Sequence, residues 1–153
     1  MGLLECASGA SAWRGYDYYK ENRVVNLIET DSGIFTADVT GSSNSQYLVE
    51  INVPHPRKSV CNCPHAAGKR IICKHMVAVY FAACPKEAER FYQEYLNAQE
   101  EAEQYQEKLN DKVLEYVMHM KKNELQQTLL DLLYSGSEWQ FDRFVRDHGL
   151  DDY

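Results

Sequence analysis

Cys61, Cys63, Cys73 and His75 fall within fifteen residues and follow the pattern C-x-C-x9-C-x-H. Thiolate sulfur and imidazole nitrogen are the donors that zinc gathers into a tetrahedron, with bonds of about 2.3 Å to sulfur and about 2.0 Å to nitrogen. Cys61 and Cys63 are two apart, so on an extended segment both side chains face the same way. Cys73 and His75 are also two apart, which inside a helix would set them roughly 200° from one another. They converge only if Cys73 caps a helix and His75 lies in its first turn. There the free N–H groups of the helix start would lower the Cys73 pKa and favour the thiolate. Four protein ligands leave no position for water, so the expectation is one structural Zn2+ and no metal catalysis. His65 is an alternative fourth donor and His55 a more distant one, but only His75 opens an apolar helix. The competing reading is a cluster of buried free thiols beside a satisfied histidine.

Positioning those donors needs a sheet on one side and a helix on the other. Gln46 to Val53 alternates, with Tyr47, Val49, Ile51 and Val53 predicted inward, and Pro54 and Pro56 end it. Ile34 to Thr40 is predicted as a strand with Phe35, Ala37 and Val39 on one face. Arg23 to Thr30 is a third, with Val25 and Leu27 on one face, joined by the Asp31-Ser32-Gly33 turn. Gly41 to Ser45 reads as a loop, and Ser59 to Cys61 as a short fourth strand. Trp13 to Asn22 reads as one or two helical turns, and Met1 to Ala12 offers little. Between the ligand pairs, Ala67-Gly68 reads as a turn and Ile71-Ile72 as a returning strand. Lys74 to Ala83 is apolar nearly all round, so it must be buried.

From Pro85 the pattern changes. Phe91, Tyr95, Ala98, Ala102, Tyr105 and Leu109 recur at spacings of four and three, a heptad-like seam on an acidic helix. The seam slips by four at Val113 and runs on through Tyr116, Val117 and Met120, with a break or bend expected near Asn110-Asp111. Two short helices should follow, with capping boxes at Asn123/Gln126 and Ser137/Gln140 and glycine C-caps at Gly136 and Gly149. Their stripes are Leu125, Leu129, Leu132 and Leu133, then Trp139, Phe144 and Val145. The expected class is α+β, a small antiparallel sheet with a zinc finger and a buried helix, then a helical C-terminal region. The expected division is 1–84 and 85–153.

Net charge is −7, unevenly spread. Residues 1–85 carry +1, 86–111 carry −5 and 112–153 carry −3. The one basic island is on the metal site: Arg57, Lys58, Lys69, Arg70 and Lys74 lie between residues 55 and 75 without a carboxylate. Five cysteines, clustered, are metal-like and do not form a disulfide pattern, which fits a reducing compartment. The longest strongly apolar run, Met76 to Cys84, is too short to span a bilayer, so a soluble cytoplasmic (or nuclear) protein is expected. No G-x-x-x-x-G-K-[ST] loop occurs.

The run C-N-C-P-H through C-K-H-M-V-A-V resembles the SWIM-type zinc finger. The preceding R-G-Y-D-Y-Y-K-E-N-R-V, A-D-V-T-G-S and Y-L-V-E-I resemble the sheet ahead of that finger, so the resemblance covers about Ala12 to Ala83. It implies zinc on Cys61, Cys63, Cys73 and His75, and binding of DNA or protein partners in place of catalysis. The expectation is a non-catalytic module that binds nucleic acid (DNA), through Arg57, Lys58, Lys69, Arg70 and Lys74, or binds a protein of a nucleic-acid complex. The alternative is a protein-interaction module, or a phage- or mobile-element-type inhibitor of a host nucleoprotein machine, using the acidic helix. A homodimer through residues 91–109 belongs to that second reading. A helix-turn-helix over residues 123–148 is disfavoured, because Glu138, Asp142 and Asp147 would repel phosphate. Cys6 and Cys84 form no catalytic set with a base, and an enzyme is not expected.

Overall fold

The computed structural model describes residues 2–43 and 45–151; Asn44, inside the predicted 41–45 loop, lies outside them. The fold is α+β: a four-stranded antiparallel sheet with helices before and after it. The chain forms two compact units, Met1–Leu96 and Asn97–Tyr153.

In the first unit a 3-10 turn, Leu4–Cys6, leads into α1, Gly9–Lys20. This helix is longer than the one or two turns expected from Trp13 onward. It starts earlier because Ser8 caps it: the Ser11 N–H donates to Ser8 Oγ at 3.2 Å. The sheet runs in chain order, β1 Val24–Asp31, β2 Ile34–Thr40, β3 Gln46–Asn52 and β4 Val60–Cys61. β2 and β3 pair without a break from Ile34↔Asn52 to Thr40↔Gln46. As predicted from alternation, Ala37, Val39, Val49 and Ile51 are buried, and Phe35, Tyr47 and Val53 pack at the edge of the same core.

β1 departs from expectation. Val25 and Leu27 are 42% and 37% exposed and do not reach the core. β1 is an edge strand, and its register with β2 shifts between Val25 and Ile28. Asn26 takes a left-handed φ of 55° there, and its Nδ2 donates to Asp38 Oδ2 at 2.8 Å. Such a bulge resets the alternation that a period-two reading assumes.

Buried α2, Lys74–Ala83, lies on the sheet, with Met76, Val77, Val79 and Phe81 fully enclosed. Burying one such side chain is worth about 1.5–3 kcal/mol. α1 crosses α2 at Gly15, where a Cβ would stand 2.5 Å from Val77 Cβ and 2.8 Å from the Lys74 carbonyl oxygen. Only a glycine admits that approach. α3, Pro85–His119, then begins, and its first turns join an aromatic cluster. Trp13 meets Phe91 at 4.7 Å and Tyr95 at 4.5 Å, and Phe81 meets Phe91 at 5.4 Å.

α3 runs through Asn110 and Asp111 without the expected break. A spacing of four on both sides of Leu109 gives an 11-residue repeat, close to the natural period of a straight helix, so the slip needs no break. The Gln106 amide also bridges that point, donating to Asn110 Oδ1 at 3.1 Å. In the second unit α4 is Lys122–Ser135 and α5 is Glu138–Asp147. The first cap falls two residues before the predicted Asn123: Glu124 accepts the Lys121 N–H at 3.0 Å. The Ser137/Gln140 box forms as predicted, with the Ser137 N–H on Gln140 Oε1 at 3.1 Å. The leucine and aromatic stripes are less covered than expected. Leu133, Phe144 and Val145 are half-buried, whereas Leu125, Leu129, Leu132 and Trp139 stay exposed. Among the described residues no helix is long and apolar enough to cross a membrane.

Candidate metal centre

Cys61 ends β4, where it pairs with Val49 of β3. Beyond it Asn62 keeps the ladder going with its side chain: the Leu48 N–H donates to Asn62 Oδ1 at 3.0 Å, and the Asn62 N–H to the Leu48 carbonyl at 3.3 Å. The chain thus stays extended for one more residue, and Cys61 and Cys63 face one side. At Cys63 it turns: the Ala66 and Ala67 N–H groups both donate to the Cys63 carbonyl, at 3.0 and 2.9 Å. Gly68 takes a left-handed φ of 71° to complete the loop.

The return is not the predicted hairpin strand. Ile72 makes a parallel bridge to Ala7 instead, so the N-terminal segment, which gave little by sequence, braces the finger. Cys73 is the N-cap of α2 and His75 lies in its first turn, as the two-residue spacing required.

All four side chains are buried, and their donor atoms lie within 4.8 Å of one another. A tetrahedron with bonds of about 2.3 Å has edges of about 3.8 Å, so sub-ångström shifts close it around one ion. His75 Nδ1 is 3.7 Å from Cys61 Sγ, and Nε2 is buried without a hydrogen-bond partner. An imidazole buried against three thiols, with no carbonyl or carboxylate to satisfy it, is costly as a plain core group and apt as a metal ligand. A hydrogen bond joins the Cys61 and Cys73 side chains. The Cys61 hydrogen bond holds the Cys73 thiol well below its ordinary range against the opposing effect of burial, aided by His75 and by the His75 and Met76 backbone N–H groups. The same bond, with burial, pushes Cys61 up. An ion replaces the proton of that bond and takes both as thiolates.

Aromatic rings hold the imidazole. Tyr47 stacks on His75 at 4.5 Å and 24°, and Tyr18 sits 5.4 Å away. Lys74 Nζ donates to the Tyr18 hydroxyl at 2.7 Å and lies over that ring at 4.3 Å. Burial resists ionisation of Tyr18, yet the Lys74 and Ser42 hydrogen bonds and the Lys74 and Arg23 charges outweigh it and lower the phenol pKa. Neither Tyr18 nor Tyr47 is signalled as part of the site by spacing alone. His65 and His55 are exposed and outside the four-residue group. Cys84 caps the far end of α2, its thiol pushed up by burial and then by the Glu87 and Glu29 charges.

The five cations do not act as one patch. Arg57, Lys58 and Arg70 line one cleft of about 610 Å³, together with Glu5, Cys6 and Ile72. Lys69 is exposed in the same loop but does not line the cleft, and Lys74 is turned onto Tyr18. In the predicted seam, Phe91 and Tyr95 contact Trp13, whereas Ala98, Ala102, Tyr105 and Leu109 are exposed.

Sheet, capping helix and a closed set of three thiolates and one imidazole define a zinc-binding module with one structural ion. Residues 47–84 match the SWIM zinc finger family, and the four ligands stand where its C-x-C-x9-C-x-H pattern puts them. No curated protein and no solved structure matches the chain.

Proposed function

We propose that the chain is a non-catalytic binding module in which the zinc-held finger presents a cationic cleft to the phosphates of nucleic acid, DNA in the first instance. One observation carries this. Arg57 and Lys58 come from the turn before β4 and Arg70 from the loop before α2, yet they line a single cleft. Among the described residues none of the three forms an ion pair. Three cations share this cleft with one carboxylate, Glu5, and that surplus of positive charge on a protein of net charge −7 favours an anion joining them. Four protein ligands on the zinc support a structural role for it, with no coordination site for substrate.

Anisotropy titration of labelled duplex and single-stranded DNA tests the reading. Three phosphate contacts on duplex should give a slope of log K against log salt of about −2.7. Arg57→Glu with Arg70→Glu should lower affinity and flatten that slope by about 1.8. Salt-independent binding, or no loss in the double variant, overturns it.

A second reading has the helical region dock on a protein of a nucleic-acid complex, as an inhibitor of phage or mobile-element type would. It is favoured by the exposed Leu132, Tyr134 and Trp139 of α4 and α5. A pull-down that survives the Arg57/Arg70 reversal and fails with Trp139→Ala would support it.

A further inference from the structure

We propose that two copies of this chain pair antiparallel through α3, with Leu109 on the twofold axis. The inference is independent of the nucleic-acid reading. It starts from the exposed apolar stripe Ala102, Tyr105, Leu109, Val113 and Tyr116 of α3. Tyr105 and Tyr116 are 69% and 71% exposed and Val113 is 54% exposed. Every position of the stripe is apolar and lies within the unbroken helix α3. The stripe runs over 15 residues, about 22 Å of helix. A contiguous apolar face of that length on a polar helix is the mark of an interface.

The order of spacings identifies the occupant. From Ala102 to Tyr116 they are 3, 4, 4, 3, which reads the same in both directions about Leu109. An antiparallel twofold pair therefore places stripe residue against stripe residue in every layer. Ala102 meets Tyr116, Tyr105 meets Val113, and Leu109 meets its own copy. Small faces large in the outer layers, which keeps layer volume even, as close packing requires. A parallel pair in register would set alanine against alanine and tyrosine against tyrosine, with a gap at the first and crowding at the second.

Charge points the same way. Residues 97–107 carry Glu100, Glu101, Glu103 and Glu107 and no lysine or arginine. Residues 108–119, the rest of α3, carry Lys108 and Lys112 against Asp111 and Glu115. The antiparallel pair lays each acidic stretch beside the other copy's neutral, lysine-bearing one; the parallel pair lays acid on acid. The 11-residue spacing also suits two nearly straight helices.

The test uses the full, zinc-loaded chain. Light scattering should give twice the chain mass at micromolar concentration. Leu109→Glu should return it to the single-chain mass with its helical circular dichroism retained. Orientation is read in a Cys6→Ser/Cys84→Ala background, which leaves the zinc ligands intact. Tyr105→Cys chains mixed with Val113→Cys chains should form a disulfide under mild oxidation, and Tyr105→Cys alone should not. A single-chain mass for the native protein, or cross-linking by Tyr105→Cys alone, overturns the proposal, as would a dimer unaffected by both Leu109→Glu and Leu109→Asp.

Discussion

The His75 imidazole lies against the Tyr47 ring, centroids 4.5 Å apart and planes 24° from parallel. Tyr47 thereby sets the plane of the one nitrogen ligand from across the sheet. Groups that orient a metal ligand commonly change affinity 10- to 100-fold when removed. Tyr47→Ala should weaken zinc binding by about that factor, and Tyr47→Phe, which keeps the ring, should not. Competition against a chromophoric chelator measures both; equal affinities for Tyr47→Ala and the native chain would remove Tyr47 from the site.

Zinc and the first unit should fold together. The ligands join β4, the finger loop and the start of α2, and binding energy for such a site is folding energy. Chelation, or Cys73→Ser, should melt this junction, read as a blue-to-red shift of Trp13 emission as its cluster with Phe91 and Tyr95 opens. Acid should do the same, because thiolates and imidazole must lose protons to bind the ion and regain them as pH falls. A metal-free native chain with an unchanged urea midpoint would contradict this.

The α1–α2 crossing has no room for a methyl group. Gly15→Ala sets a Cβ 2.5 Å from Val77 Cβ, and overpacking of this kind costs about 1–3 kcal/mol. Gly9, whose added Cβ meets nothing within 4 Å, is the matched control. Gly9→Ala should leave the urea midpoint nearly unchanged while Gly15→Ala lowers it.

The bulge at Asn26 makes a sharp contrast between a strand residue it turns outward and the helix core behind the sheet. Phe81, fully buried on α2, should cost about 3–5 kcal/mol as Phe81→Ala. Val25, predicted inward yet 42% exposed, should cost under about 0.5 kcal/mol as Val25→Ala. A large loss at Val25 in chemical denaturation would mean that β1 buries its other face.

Lys74 sits on Tyr18 and faces away from the cleft. Removing its hydrogen bond and charge by Lys74→Met should raise the Tyr18 pKa, since both lower it in the native protein. Ultraviolet titration of the phenolate follows the shift. The same variant should weaken DNA binding less than Arg57→Glu does.

The metal ligands, the capping position of Cys73, the inward faces of β2 and β3 and the burial of α2 were all legible in the chain. Each rests on a local rule: donor chemistry at fixed spacing, a period of two, or an apolar surface too complete to face water. Tertiary structure decided what depends on distant segments or on exceptions to period. A single left-handed residue, Asn26, turned the β1 face outward. Ala7, 65 positions before Ile72, replaced the expected hairpin partner. Glu5 and Cys6 entered the cleft of Arg57, Lys58 and Arg70, while Lys74, their neighbour in sequence, was taken by Tyr18. Side-chain type and spacing can specify which groups are able to hold zinc. Which cations share a cleft is set by where the chain crosses itself, and no local pattern encodes that.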